Sequence, residues 1–321
     1  MDNIQLLTKI ATLYYKGGLN QQEIADRLGL SRQTTGRYLK RAVDLGVVVI
    51  KIQSNLEYSA ELEYKLESIF GLSEVIVVTP PTDSEEAVKE ALGSAGAAFL
   101  ERRVQPNDII GISWSSTVLQ CAMQLSKTNP RNVTVVQLNG SMDRTSYSTR
   151  AEFIVERIAQ AFDGKTLGLL TPMLVDDRSI KESFLRDSKI AATLQLANDA
   201  QLALFGVGNV SEQSSLYKTG YLDDVTLERL KSSGAVGEIC GRFYDRWGNI
   251  CLPEVDERTI AIELNNLKTK RISAAIAGGL NKVEAILGML HGGFCNVLIT
   301  SEETAKALLL HSGEFSKSKS K

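Results

Sequence analysis

The stretch Leu19–Lys40 reads LNQQEIADRLGLSRQTTGRYLK. Asn20 followed three residues later by Glu23 is a capping-box arrangement, so a helix is predicted to open there. Gly29 interrupts it at a point where a left-handed backbone costs glycine little. Ser31 is placed to cap the next helix, which runs to about Leu45 before Gly46. Ile24, Leu28, Leu30 and Tyr38 fall where two crossed helices must bury side chains against each other. Ala25 falls at their closest approach, where a larger residue would push them apart.

The second of these helices presents Arg32, Gln33, Thr34, Thr35 and Arg37 from its N-terminal half. Such side chains reach base edges in a major groove, and the following Lys40 and Arg41 suit phosphates. Gly36 weakens the helix by about 1 kcal/mol relative to alanine, and is read as permitting close approach to DNA. A helical hairpin with a solvated basic face is the bland alternative. The small residue, glycine turn, cap and basic polar face coincide, and together they favour a DNA-reading helix-turn-helix.

Working outward, IQLLTKIATLYYKGG sets Leu6, Leu7, Ile10, Leu13 and Tyr14 at helical spacing and stops at Gly17 and Gly18. After the helix pair, VVVIKIQ alternates like a strand and predicts a small wing. Residues 1–52 hold eight Lys and Arg against four Asp and Glu, a net of +4, whereas the whole chain of 321 residues carries −2. A basic head on an acidic body fits a small DNA-binding domain, taken as residues 1–54, joined to a separate ligand or assembly domain.

The body has the composition of a globular protein with a real core: 43% hydrophobic and 23% charged residues over the whole chain. Residues 55–72 are predicted as a linking helix with Leu62, Leu66 and Ile69 on one side. From Val75 onward, short apolar runs alternate with helical segments: VIVV, DIIGIS, VTVVQL, LALFGVG, ISAAIAGG and NVLITS. Strands buried on both faces and separated by helices imply a mostly parallel α/β sheet over residues 73–312. EICGRFYDRWGNICL reads as a hairpin turning near Gly248 and Asn249, and the tail 313–321 as a disordered low-complexity end.

No apolar run reaches bilayer length, and the N-terminus lacks the pattern of a secretory signal; a cytoplasmic protein is expected. Four dispersed cysteines and two histidines make a Cys/His metal site improbable and point to buried thiols. No cofactor is expected.

Several strands end in loops rich in glycine and hydroxyl groups. One carries Ser113, Ser115, Ser116 and Thr117; the next carries Asn139, Gly140, Ser141 and Arg144. Two others contribute Gly206 and Gly208, and Gly278, Gly279 and Lys282. Ligands of open α/β sheets bind at the carboxyl ends of strands, and N–H groups at helix starts favour anions. The arginine, the lysine and a hydroxyl-rich turn suit one or two phosphates of a small sugar, with Asp245 accepting from its hydroxyls. Trp114 either stacks on a ligand or anchors its loop.

At these segments the chain resembles the SorC family of sugar-binding transcriptional regulators, in the deoxyribonucleoside-regulator-like branch. The resemblance is carried by LYYKGGLNQQEIADRLGLSRQTTGRYLKRAVDLGVVVIKI, NDIIGISWSSTVL, VVQLNGS, ALFGVGNV, GAVGEICGRFYDRWGNI and AIAGGLNKVEAILGMLHGGFCNVLITSEETAKALL. It implies a winged helix-turn-helix followed by a larger Rossmann-like α/β effector domain of the sugar-phosphate isomerase/deaminase type. It further implies a phosphorylated sugar effector and a tetramer, a dimer of dimers, on paired half-sites of an imperfectly palindromic operator. Members are usually repressors relieved by ligand.

By position, Ser113, Ser115, Ser116 and Thr117 belong to the family's phosphate loop, Gly140 and Ser141 to the neighbouring one, and Lys282 follows the paired glycines. Many relatives have glycine in place of Ser115 and Ser141. The deoxyribonucleoside branch has lysine in place of Asn139, and asparagine cannot form a Schiff base with a sugar aldehyde.

An isomerase- or deaminase-like enzyme is the rival reading. The pocket loops offer no histidine and no convincing carboxylate pair for proton transfer, so a non-enzyme is expected. An activator responding to an unphosphorylated sugar or polyol, and a purely structural oligomerisation domain, are the remaining alternatives.

Overall fold

The structure, a computed structural model, describes residues 4–48, 57–129, 131–141, 143–144, 147–148 and 150–312. The chain divides into two compact units, Met1–Glu57 and Tyr58–Lys321.

In the first unit, α1 (Ile4–Ala11) continues through a π-helical turn (Thr12–Lys16) to the glycine pair. The Asn20 side chain accepts from the backbone of Gln22 and Glu23, and Glu23 accepts from the Asn20 N–H at 2.7 Å. This reciprocal cap opens α2 (Gln21–Leu28). Gly29 closes α2 at φ +66°, and Ser31 opens α3 (Arg32–Asp44) by accepting from Thr34 N at 3.1 Å. Ile10, Ile24, Ala25 and Ala42 are fully buried or nearly so, with Leu7 and Leu39 completing the core. Val47 and Val48 form a bend; the rest of the expected wing lies outside the described residues, as does the 313–321 tail.

The second unit opens with α4 (Glu57–Phe70). Leu62 and Leu66 enter the core, as expected, but Ile69 is exposed and Phe70 packs inward in its place. The side is a four-residue repeat at 62, 66 and 70 rather than one that includes 69. The expected linking helix is therefore part of the second unit. Its Glu63 and Glu67 carboxylates accept from Val77 N and Val75 N at 2.8 and 2.9 Å, capping the outer edge of the first strand.

The strands are β1 (Glu74–Val78), β2 (Ile109–Ile112), β3 (Thr134–Gln137), β4 (Asp143–Arg144), β5 (Tyr147–Ser148), β6 (Lys165–Leu167), β7 (Leu202–Gly206), β8 (Gly208–Asn209), β9 (Ala235–Ile239), β10 (Arg242–Asp245), β11 (Ile272–Ile276) and β12 (Val297–Ser301). Seven form one parallel sheet in the order β1-β12-β11-β7-β2-β3-β6. Beyond the six expected strands, β6 is new: a three-residue edge strand exposed along its length.

One face of the sheet packs on α5 (Glu85–Arg103), α6 (Ser116–Gln124) and α7 (Ala151–Ala161) through Leu100, Val118 and Ile158. The other face packs on α4 and the helices Ser188–Asp199, Val283–Gly292 and Glu302–Ser312. From β2 the chain winds outward through β3 to β6, then returns on the other side with β7. The β2/β7 junction is thus the topological switch point.

The predicted hairpin exists, but its turn is elsewhere. Arg242 pairs with Ile239, so Cys240 and Gly241 form a two-residue loop with φ +55° and +78°, as a tight β-hairpin requires. Gly248 and Asn249 belong to a second turn that returns the chain to the Tyr244–Ile250 bridge.

Candidate functional site

Two surfaces carry the polar residues selected from the sequence. On α3, Arg32, Gln33, Arg37, Lys40 and Arg41 are exposed, so the polar face of the second helix is open to a groove. Thr34 is half-buried, its hydroxyl 2.8 Å from that of Ser31. Thr35 departs from expectation: it is fully buried and its hydroxyl donates to Ser31 O at 3.2 Å. Residues 35, 39 and 42 line the inward stripe of the helix, so Thr35 holds the turn and is not offered to bases. Gly36 also has an internal reason. A Cβ there would lie 3.1 Å from Oε1 at the flexible end of the Gln21 side chain, at the start of α2, so the glycine sits at the helix crossing as well as on the polar face.

The second surface lies at the carboxyl ends of β2, β7 and β11. Ser113 is buried, and its N–H extends the ladder to Leu204 O at 3.1 Å. Burial pushes the Cys240 thiol up to about 12, against a smaller pull from Ser113. Ser115 caps α6 by accepting from Val118 N at 3.0 Å. Ser116 stands exposed on the first turn, and Thr117 is buried beneath it. A Cβ at Gly206 would meet the Ser115 hydroxyl at 2.6 Å. The switch point therefore brings together the two loops that sequence pattern could only nominate separately.

Gly208 lies under the Glu238 carboxylate, which leaves no room for a Cβ. Glu238 faces Gly208 across the β8–β9 ladder and accepts from Gly241 N at 2.9 Å. Burial raises its pKa, against the pull of that bond and of Lys282. Lys282 precedes the helix Val283–Gly292, with its N–H on Gly279 O at 3.0 Å. Asn209 ties the two loops together by donating to Asn281 O at 3.2 Å. Burial pushes Lys282 below the usual lysine range and Lys89 repels it further, while Glu238 and Glu85 oppose the shift. Among the described residues the Lys282 ammonium has no hydrogen bond and no ion pair within 4 Å. A recess of 810 Å³ lined by Asn209, Leu280, Asn281 and Val283 opens beside these loops.

The loop after β3 adjoins them. Trp114 donates its indole N–H to Gly140 O at 2.9 Å, so it anchors the loop. Gly140 is crowded by the backbone of Thr171 and Pro172. Ser141 is half-buried, with its N–H on Thr171 O and its hydroxyl accepting from Gln137 at 3.3 Å. Asn139 is buried; its amide donates to Gly140 O at 3.3 Å, while its Oδ1 lacks a partner among the described residues. Arg144 lies in β4, and its side chain is outside the described residues.

Asp245 is not part of this group. Its carboxylate accepts from Trp247 N, Asn249 N and the Asn249 amide at 2.8–3.0 Å. Its backbone lies against Gly288, well along the helix that Lys282 begins. Burial alone would raise its pKa, but those bonds outweigh it and hold the carboxyl low. Asp245 closes its own turn. The acid that faces the crevice is Glu238, at the other end of the same quoted segment.

Among the described residues no group of three or more side chains could hold a metal ion, and no helix is long and apolar enough to cross a membrane. All four cysteines are free and buried.

Comparison with known proteins agrees with this division. A winged helix-turn-helix DNA-binding family matches residues 10–49, and a sugar-binding domain family matches residues 54–310. The chain is 35% identical to the deoxyribonucleoside regulator of Bacillus subtilis, over 95% of this chain and 97% of the relative. It is 31% identical to the sorbitol operon regulator of Klebsiella pneumoniae, over 96% and 98%. The crystal structure of the full-length Klebsiella pneumoniae regulator SorC superposes with a TM-score of 0.74, covering 96% of this chain and 99% of that one. The chain belongs to the SorC family, and is a DNA-binding transcriptional regulator that responds to a sugar.

Proposed function

We propose that the chain is a repressor released from its operator by a phosphorylated sugar bound at the switch-point crevice. The observation that carries this reading is Lys282: a half-buried ammonium without an ion pair among the described residues, beside the Glu238 carboxylate and on a strand-end loop of the same sheet as the start of α6. A phosphate between Lys282 and the first turn of α6 receives a charge-assisted bond from one side and the helix N-terminus from the other. Glu238, rather than Asp245, then accepts from sugar hydroxyls. Asn139, through its orphaned Oδ1, accepts another.

The operator is an imperfect palindrome read by paired α3 helices through Arg32, Gln33 and Arg37, with Lys40 and Arg41 on phosphates. The assembly is a tetramer built as a dimer of dimers, whose two-fold axes impose the operator symmetry. Coupling between sugar and DNA requires a difference in affinity between two states, about 1–3 kcal/mol in regulators of this kind.

A thermal-shift screen of the full chain against sugars and their phosphates in matched pairs tests the effector. At a hundred times its dissociation constant a ligand stabilises by about 2.7 kcal/mol. A shift with one phosphate and none with its free sugar is expected, followed by loss of operator anisotropy at the same concentration. Shifts with free sugars alone would overturn the phosphate, and tighter operator binding on addition would overturn the repressor.

One observation favours a second reading. Glu238 beside Lys282 supplies an acid–base pair of the kind a sugar-phosphate isomerase or deaminase needs. Turnover of any phosphate that shifts the protein would establish that reading.

A further inference from the structure

Lys282 is not the only cation at this end of the sheet. Val88 and Leu92 of α5 lie against Gly278, where a Cβ would meet them at 3.3 and 3.0 Å. Lys89, on that same turn, is carried to the Gly278–Lys282 loop. Its side chain is 26% exposed, and it pairs with Glu85 one turn earlier. Lys218 ends the short helix Ser215–Lys218, and Glu85 feels the charge of Lys89, Lys282 and Lys218 together. Lys89 and Lys282 thus share two carboxylates, Glu85 and Glu238. The repulsion between Lys89 and Lys282 stands uncancelled by any ion pair at Lys282.

We propose that Lys89 completes, with Lys282, a cradle for the effector's phosphate monoester, and that Glu85 is the carboxylate which that phosphate displaces. The inference rests on the phosphorylated-sugar reading above and specifies how the phosphate is chosen. A phosphate monoester carries about −1.5 to −2 charge at pH 7. Placed between the two lysines, it turns a like-charge repulsion into attraction on both sides. A single carboxylate cannot do this, because its charge is smaller and Glu85 is 81% exposed, hence largely screened. A sugar hydroxyl carries no charge at all. Discrimination between a sugar and its phosphate then draws on α5 as well as on the strand-end loops.

The test is titration calorimetry of the full chain at pH 7.5 with inorganic phosphate, ribose 5-phosphate, glucose 6-phosphate, and free ribose and glucose. Lys89→Gln is expected to weaken phosphate binding about tenfold, the size of one lost charge-assisted bond. Glu85→Gln is expected to tighten it severalfold. Glu61→Gln, which breaks the equivalent i,i+4 pair with Lys65 on α4, is the control and is expected to change nothing. Wild-type affinity in both Lys89→Gln and Glu85→Gln would overturn the cradle and leave the phosphorylated effector standing. Binding of free sugars without any phosphate would overturn both.

Discussion

Arg242 and Lys282 are two cations of the same domain with opposite surroundings. Arg242 is fully buried and spends its guanidinium on Ile262 O, Ala261 O, Asp256 and Glu263. Lys282 is only half-buried, and none of its three donors has a partner among the described residues. A buried cation that its own chain saturates is framework: it fixes the hairpin against segment 256–263. A cation that the chain half-buries without saturating keeps its unmet bonds for something else. The difference separates what builds the domain from what the domain binds, although both residues lie beside glycine-rich turns in the sequence.

The comparison breaks if the two residues respond alike to truncation. Arg242→Leu leaves two buried carbonyls and the Asp256 carboxylate without their donor, while Glu263 is 67% exposed and stays solvated; a buried acceptor left unmet costs about 1–3 kcal/mol. The urea midpoint of the C-terminal domain should fall accordingly, with effector affinity surviving wherever the domain remains folded. A loss below about 1 kcal/mol would mean that Arg242 is not the anchor described.

Lys282→Ala should do the reverse. It removes a half-buried charge repelled by Lys89, so stability should hold or rise, while sugar-phosphate affinity falls at least tenfold and operator binding persists. The pH dependence has a definite sign. The fold depresses this lysine below its ordinary 10.5, so the unfolded chain holds the proton more tightly. Wild-type stability therefore increases as pH climbs from the depressed value toward 10.5. Lys270, lowered by burial to about 8, adds a slope of the same sign. The difference between wild type and Lys282→Ala isolates the Lys282 contribution, and identical slopes would remove it from the crevice.

How far the sequence reveals these roles depends on the signal each residue leaves. The central strands are legible because apolar runs buried on both faces leave no ambiguity. β6, Lys-Thr-Leu at an exposed edge, carries no such run. The strand-end loops are legible because strand-to-helix turns need small and hydroxyl residues. Glu238 and Lys89 are not, since one sits within a strand and the other on the second turn of a long helix; only packing brings them to the loops. The hairpin turns at Cys240–Gly241 rather than near Gly248, and it is Glu238, not Asp245, that lies over Gly208 beside the Lys282 loop. In the head, cap and turn chemistry is local, so its helices are readable. Which threonine faces inward depends on helix phase, and the phase turns Thr35 into the core.

The same contrast between saturated and open polar groups holds on α3. Arg32→Ala or Arg37→Ala should each weaken specific operator binding, by about 1–3 kcal/mol where the arginine makes a bidentate base contact. Thr35→Val should leave base preference unchanged and alter only stability, because its hydroxyl serves Ser31 O inside the domain. Anisotropy titrations on wild-type and substituted half-sites distinguish these outcomes. A change of base preference in Thr35→Val would return that residue to the interface.

Gly36 gives the smallest effect and the sharpest choice. If the glycine exists for DNA, an added methyl obstructs the approach and operator affinity falls. If it exists for the crossing of α2 and α3, the methyl meets only the end of the Gln21 side chain at 3.1 Å, which can swing aside. Alanine also removes the conformational cost of glycine within a helix, up to about 1 kcal/mol. Gly36→Ala is therefore expected to raise the melting temperature of the N-terminal domain slightly and to leave operator affinity unchanged. Unchanged stability with weakened operator binding would show that the close neighbour which matters at this position is DNA rather than Gln21.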